Sequence, residues 1–331
     1  MPRESQLVEK IARALLPHRA ASSRLKIGIG DDAAILSPAA HTDWVLSCDT
    51  FLEGVHFRLK THPPDSVGYK ALARASSDLA AMGATPRFFL LTLALPAART
   101  GAWLNTFLKG MARAASELGI TIIGGDTTRS RTVFISITVL GEIAPGRALT
   151  RSGARPGDII YVSGKLGRAQ LGLELVLRGH ARDRRMRALV QPHLHPKIRV
   201  ELGAWLAHRR IASSAMDLSD GLSTDLARLC VASKVGAKIY AGKVPTAAIP
   251  PEAARNLGKR QLDPLQLALH GGDDYELLFT IPPRRVKELH NAPGASTLTA
   301  IGEITRDPEL VLIAPDRREM SLKPQGWDPF K

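Results

Sequence analysis

Cysteine is scarce: Cys48 and Cys230 are the two in 331 residues, far apart and in no C-x-x-C arrangement. This excludes a disulfide-stapled secreted scaffold and a cysteine zinc site, and it fits a reduced, cytoplasmic protein. No apolar run approaches the ~18 residues that a membrane span requires, so no membrane partner is expected. Glu4, Glu9, Lys10 and Arg13 interrupt the first segment, which reads as no secretory leader. Nucleotide signatures are missing too. Ser163-Gly164-Lys165-Leu166 lacks the spacing and the hydroxyl of a P-loop, and neither a G-x-G-x-x-G helix start nor an H-R-D and D-F-G pair occurs. The ten histidines show no H-E-x-x-H spacing, which argues against a zinc hydrolase, and no G-x-S-x-G elbow marks a serine hydrolase. The net charge of +14 comes without a basic tail, a zinc finger or an RNP-like motif. Nucleic acid is therefore not expected as the main partner, whereas a basic surface also draws phosphorylated metabolites.

What is present is a two-domain α/β (or α+β) pattern. Leu7, Val8, Ile11, Leu15 and Leu16 repeat at helical spacing over 4–16. Trp44 to Ser47 reads as a strand that ends at Cys48-Asp49-Thr50. A helix over 66–82 stops at Gly83, Phe88 to Leu95 is an apolar strand, and a helix from Trp103 stops at Gly119. Strands at 120–123 and 132–143 follow. The Pro, Gly and Arg content around 144–158 marks a boundary, giving domains 1–147 and 148–331. Beyond it the alternation resumes, with strands near 159–163, before Asp217, and at 237–241, 277–281, 298–304 and 310–314. Helices fall at 166–178, 182–190, 197–209 and 222–233.

Aspartates recur where small residues break the chain: Asp31-Asp32, Asp49, Asp78, Asp126, Asp217 and Asp220. Each alone has a bland reading as a turn former or helix cap. Asp78 escapes it, because it stands inside a helix. Hard oxygen donors without His or Cys suit Mg²⁺, which takes one or two carboxylates and completes its shell with water and phosphates. Several such sites point to a polyphosphate and to phosphoryl transfer.

The ordered blocks Gly28-Ile-Gly-Asp-Asp32, Ser77-Asp-Leu-Ala-Ala-Met-Gly83, Gly124-Gly-Asp-Thr-Thr-Arg129, Arg147-Ala-Leu-Thr-Arg-Ser-Gly153, Asp217-Leu-Ser-Asp-Gly221 and Gly271-Gly-Asp-Asp-Tyr-Glu-Leu277 resemble the thiamine-monophosphate kinase family. That family belongs to a superfamily with aminoimidazole-ribonucleotide synthetase and selenophosphate synthetase. The resemblance implies ATP and thiamine monophosphate as substrates, several Mg²⁺ ions, and a homodimer formed through the N-terminal sheet. It implies Mg²⁺ ligands at Asp32, Ser47, Cys48, Asp49, Asp78, Asp126, Asp217 and Asp220. ATP contacts fall on Gly125, Asp126, Arg151 and Ser219, and acceptor contacts on His56, Asp273 and Trp327. Three positions depart from the family pattern: Cys48 replaces a common threonine, Asp273 a common glutamate, and Trp327 a tyrosine or phenylalanine. A thiol is a poor Mg²⁺ partner, which leaves the backbone carbonyl at 48.

Other members of the superfamily fit less well. Selenophosphate synthetase uses a Cys or selenocysteine in its N-terminal segment, and the hydrogenase-maturation relative ends with a cysteine; this chain has neither. A dead scaffold or RNA-binding relative is at odds with the intact aspartates. Taken alone, His56 reads as a solvated loop residue, Trp327 as a tail anchor, and Tyr275 as the start of a core strand. The acceptor phosphate is already ionised at neutral pH, so no general base and no phosphoenzyme are expected.

Overall fold

Alternating burial builds the first sheet. Along Asp43–Leu52, Val45 and Phe51 are buried while Leu46, Cys48 and Thr50 are exposed, so one face meets a core and the other does not. The computed structural model describes residues 4–16, 24–29, 33–257, 262–328 and 330. The chain divides into two units, Met1–Leu79 with Ala84–Gly146, and Ala80–Gly83 with Arg147–Lys331.

The first unit contains α1 (Glu4–Leu15), β1 (Leu25–Ile27), β2 (Ile35–Leu36), β3 (Asp43–Leu52), α2 (Pro64–Ala81) up to Leu79, β4 (Thr85–Leu95), α3 (Ala102–Leu118), β5 (Thr121–Arg129) and β6 (Phe134–Ile143). Its main sheet has the order β3-β6-β4-β5, with β4 and β5 parallel and the other pairs antiparallel. Phe51, Leu91, Leu93, Ile135 and Ile137 share one face of this sheet and are buried, as are Leu72, Leu79, Phe107 and Met111 of the helices. Gly119 closes α3 in the left-handed conformation, φ 63°, the helix stop that its position suggested.

Two expectations are corrected. β3 does not end at Cys48-Asp49-Thr50 but pairs with β6 along its whole length, from Asp43↔Ile143 to Leu52↔Phe134. β5 likewise continues through Gly124-Gly125-Asp126, in parallel register with Leu90, Leu91 and Thr92. Asp49 and Asp126 are therefore strand residues and not loop residues. Ladder hydrogen bonds to long neighbours override the poor strand propensity of Gly and Asp.

The second unit contains β7 (Ile159–Ser163), α4 (Arg168–Leu177), α5 (Arg187–Leu194), α6 (Val200–Arg209), β8 (Ser214–Leu218), α7 (Leu222–Ser233), β9 (Gly236–Tyr240), α8 (Pro251–Leu257), α9 (Pro264–His270), β10 (Glu276–Ile281), β11 (Leu298–Thr305), β12 (Leu310–Ile313) and β13 (Glu319–Ser321). Its sheet runs β13-β12-β9-β11-β7-β10-β8, antiparallel except between β12 and β9. One core gathers Val162, Met216, Leu226, Ile239, Leu278 and Ile301. A second lies under α4 and α5, around Leu171, Leu175, Val190 and Leu194. Both units mix helix and sheet, as the α/β reading expects. Among the described residues no helix is long and apolar enough to cross a membrane.

Candidate active site

In the first unit, α2 and β3 face each other with matched spacing. Arg74 and Asp78 are one helical turn apart, about 6 Å along the axis. Asp49 and Ser47 are one strand repeat apart, about 6.6 Å. Arg74 Nε donates to Asp49 Oδ2 at 3.2 Å, and Ser47 Oγ donates to Asp78 Oδ2 in a short contact. The Arg74 guanidinium also lies 5.4 Å from the centre of the Phe51 ring. Asp78 lies inside α2, in its last turn, with its carboxylate turned to β3.

Cys48 projects from the opposite face of β3. Its Sγ lies 3.4 Å from Ser136 Oγ and 3.4 Å from Thr138 Oγ1, so the thiol is turned away from Asp49 and Asp78. Asp126 stands in the outer cross-strand row with Thr92, Ser136 and Thr50, whereas Asp49 shares its row with Ile137, Leu91 and Gly125. β3 and β5 are the two edges of the sheet, three strand spacings or roughly 14 Å apart. The fold does not bring Asp49 and Asp126 together within one chain. Gly125 has φ 150°, and a Cβ there would sit 1.9 Å from the Leu91 carbonyl oxygen, so the strand needs glycine beside Asp126. Asp126 and Gly125 also line a cleft of about 520 Å³ with Val8, Ile11, Leu36 and Leu90.

His56 is not a loosely solvated side chain. Its Nδ1 accepts from Leu52 N at 3.0 Å, its own N–H donates to Leu52 O at 2.9 Å, and its ring packs 5.6 Å from Phe51. An accepting Nδ1 leaves the ring proton on Nε2. Asp32 lies outside the described residues.

In the second unit, β8 carries Asp217 and leads into the loop that holds Ser219 and Asp220. Asp217 is buried on β8, paired in register with Leu277. The loop is held by Asp225 of α7, whose carboxylate accepts from the N–H groups of Asp220 (3.0 Å) and Gly221 (3.1 Å). Burial pushes the Asp225 carboxyl up to about 7. Arg228 joins the cluster, in ion pairs with Asp220 and with Asp225, the latter at 3.0 Å. Arg151 is exposed, and its carbonyl accepts from Ser233 Oγ at 2.9 Å.

The C-terminal segment is strapped over the start of α7. Gln325 N donates to Ser223 Oγ at 3.3 Å, Gly326 N to Thr224 Oγ1 at 3.0 Å, and Trp327 N to the Asp220 carbonyl at 3.0 Å. Trp327, 47% exposed, borders a cavity of about 500 Å³ with Gln170, Asp263, Gln266, His270 and Gly272. Asp273 begins a turn into β10: its N–H donates to Ser219 O at 2.8 Å, and Tyr275 N donates to Leu218 O at 2.9 Å. The neighbouring Asp274 caps α4 from a distance, accepting from Gly167 N (2.6 Å) and Ala169 N (3.0 Å). Burial raises its carboxyl to about 7.

Among the described residues no three His, Cys, Asp or Glu side chains cluster as a ready metal cage. The donor chemistry nonetheless fits Mg²⁺, which needs one or two carboxylates rather than a full protein cage. Ser47, Asp78, Asp217 and Asp220 all offer oxygen donors, Asp220 while paired with Arg228. Sequence reasoning missed Arg74, Asp225, Arg228 and Asp274. Arg74 carries a legible signal, one turn before Asp78. The other three are read only from three-dimensional contacts.

Family models for AIR synthase related proteins match this chain, the N-terminal domain over residues 30–143 and the C-terminal domain over 155–315. The thiamine-monophosphate kinase of Escherichia coli K12 is 39% identical over 320 residues, covering 94% of this chain and 95% of that protein. The enzyme of the same name from Synechococcus elongatus is 37% identical over 91% of each chain. Among solved structures, thiamine-monophosphate kinase from Stenotrophomonas maltophilia K279a superposes with a TM-score of 0.78 at 37% identity, covering 92% of this chain and 95% of that one. AaThiL complexed with AMPPCP and TMP gives 0.75 at 31%, covering 99% and 98%.

Proposed function

Since the chain belongs to the thiamine-monophosphate kinase family, we propose that it moves the γ-phosphate of ATP directly onto the phosphate of thiamine monophosphate, in line and with several Mg²⁺ ions assisting. The observation that carries this reading is the hydrogen bond from Trp327 N to the Asp220 carbonyl. It ties the backbone of the aromatic residue expected to meet the acceptor's flat rings to the backbone of the residue whose carboxylate is expected to serve the phosphates. The 500 Å³ cavity beside Trp327 and the 520 Å³ cleft beside Gly125 and Asp126 are both within the usual size of small-molecule sites.

The acceptor is a phosphate monoester with a second pKa near ~6, so it arrives as an ionised nucleophile and needs no base. The barrier is repulsion: two unit charges ~4 Å apart cost about 4 kcal/mol at an effective dielectric of 20. Mg²⁺, when bound, supplies charge neutralisation and aligns the attacking and leaving oxygens. The Ser47 hydroxyl, the carbonyl at 48 and the carboxylates of Asp49, Asp78, Asp126, Asp217 and Asp220 are the groups that would hold it. Asp225 orients the Asp220 backbone, and the exposed Arg151 adds a phosphate-seeking charge. His56, with its proton on Nε2, offers a neutral donor to the acceptor. Asp273 accepts from it.

Two copies of the chain complete this picture. The outer face of the first sheet leaves Leu46 60% exposed, and Asp126 stands at the edge opposite Asp49. A homodimer formed through this sheet, with edge strand β5 of one copy beside edge strand β3 of the other, would let Asp126 of one copy serve the Asp49 side of the other. The scarcity of cysteine supports a cytoplasmic setting. The reaction is tested by incubating the purified protein with ATP, Mg²⁺ and thiamine monophosphate and resolving the thiamine products by chromatography. Thiamine diphosphate should form only with all three present; its absence overturns the reading.

A further inference from the structure

Asp273 carries a carboxylate on a side chain one methylene shorter than the glutamate common at this position, so its reach depends on how it is held. Its Oδ1 accepts from Tyr275 Oη at 2.7 Å, and its Oδ2 lies 3.7 Å from His193 Nδ1. Both neighbours are almost wholly buried, Tyr275 at 2% and His193 at 1% exposure, while the Asp273 side chain keeps 31%. One side of the carboxylate rests on a fixed polar floor and the rest faces outward.

The backbone spends conformational freedom to achieve this. Asp273 (φ 69°) and Tyr275 (φ 49°) both occupy the left-handed region, which is costly for an aromatic residue. The turn is pinned by the bonds from Asp273 N to Ser219 O and from Tyr275 N to Leu218 O. It reverses Tyr275 so that its hydroxyl meets a side chain two residues earlier instead of continuing into β10. His193 is placed by close packing of α5 on α4, where a Cβ on Gly172 would meet His193 Cβ at 2.9 Å.

We propose that Tyr275 and His193 are positioning residues that orient the Asp273 carboxylate toward the acceptor, and so set how tightly thiamine monophosphate binds. This rests on the reading of Asp273 as an acceptor contact. Steady-state kinetics on the wild type, Tyr275→Phe, Asp273→Ala and the double variant test it. Tyr275→Phe should raise KM for thiamine monophosphate roughly three- to tenfold, the effect of losing one ordinary hydrogen bond, and leave KM for ATP unmoved. In the Asp273→Ala background the same change should have no further effect. Equal shifts in both constants, or an undiminished effect in that background, overturn the proposal. If Asp273→Ala leaves the acceptor constant unchanged, the contact reading falls and the proposal with it. If Asp273→Ala raises the constant and Tyr275→Phe does not, positioning alone falls. Should Tyr275→Phe fold poorly, His193→Gln carries the same comparison.

Discussion

A subunit-mixing experiment tests the separation of Asp49 from Asp126. The two carboxylates stand on opposite edge strands and in rows that face opposite ways. At a metal–oxygen distance of about 2.1 Å, two ligands of one Mg²⁺ have oxygens no more than ~4.2 Å apart. Three strand spacings, roughly 14 Å, exceed that even after both side chains reach inward. If both residues serve one site, two chains must supply them. Asp49→Asn and Asp126→Asn should each abolish turnover as homodimers, since an amide keeps the oxygen and loses the charge. Co-expressed with different affinity tags and purified through both, the mixed dimer has one site carrying both substitutions and one carrying neither. It should recover about half of wild-type activity per dimer, and a random mixture about a quarter, because half its dimers are mixed. The assay is thiamine diphosphate formation at saturating Mg²⁺ and ATP. A mixed dimer as inactive as its parents would refute the shared site and leave each chain to work alone.

Three further outcomes are expected. Cys48→Ser should retain most activity, because the thiol points to the face away from Asp49 and Asp78; complete loss in the same assay would instead mark a reactive cysteine. Trp327→Ala should raise KM for thiamine monophosphate several-fold, an aromatic–cation contact being worth about 0.5–2 kcal/mol, with KM for ATP barely moved; a drop in melting temperature alone would make Trp327 a tail anchor. Asp274 has a carboxyl raised from 3.8 to about 7 by burial, so its contribution to stability is present below pH 3.8 and is lost as pH rises through about 7. The melting temperature of Asp274→Asn relative to wild type should therefore be more favourable at pH 8 than at pH 5; an equal gap at both would show that Asp274 does not titrate this way.

The helices were legible where apolar spacing and stop residues agree. α3 ends at Gly119 as its glycine implies, and α2 carries Asp78 inside it. The strands that bear the candidate ligands were harder, because Ser-Cys-Asp-Thr and Gly-Gly-Asp-Thr lack alternating apolar residues and mimic turns. Only their ladders with β6 and β4 reveal them as strands. α9 was overlooked despite a usable signal: Asp263 caps it through Leu265 N and Pro264 follows at its first turn. Tyr275 looked like the first residue of a core strand, and it is buried, but β10 starts at Glu276 and the Tyr275 hydroxyl is spent on Asp273. Such a reversal depends on left-handed backbone at two non-glycine residues, which local propensity does not announce.

The matched spacing of α2 and β3 limits what the gene can tolerate. Four helical residues advance about 6 Å and a strand repeat about 6.6 Å, so two contacts agree and a third would already drift. Inserting or deleting one residue between Arg74 and Asp78 would swing one of them about 100° around the helix. It would then lose its partner on β3. Length variation in descendants of this sequence should therefore accumulate outside that single turn, and a designer seeking room for an inserted peptide should leave those five positions uninterrupted.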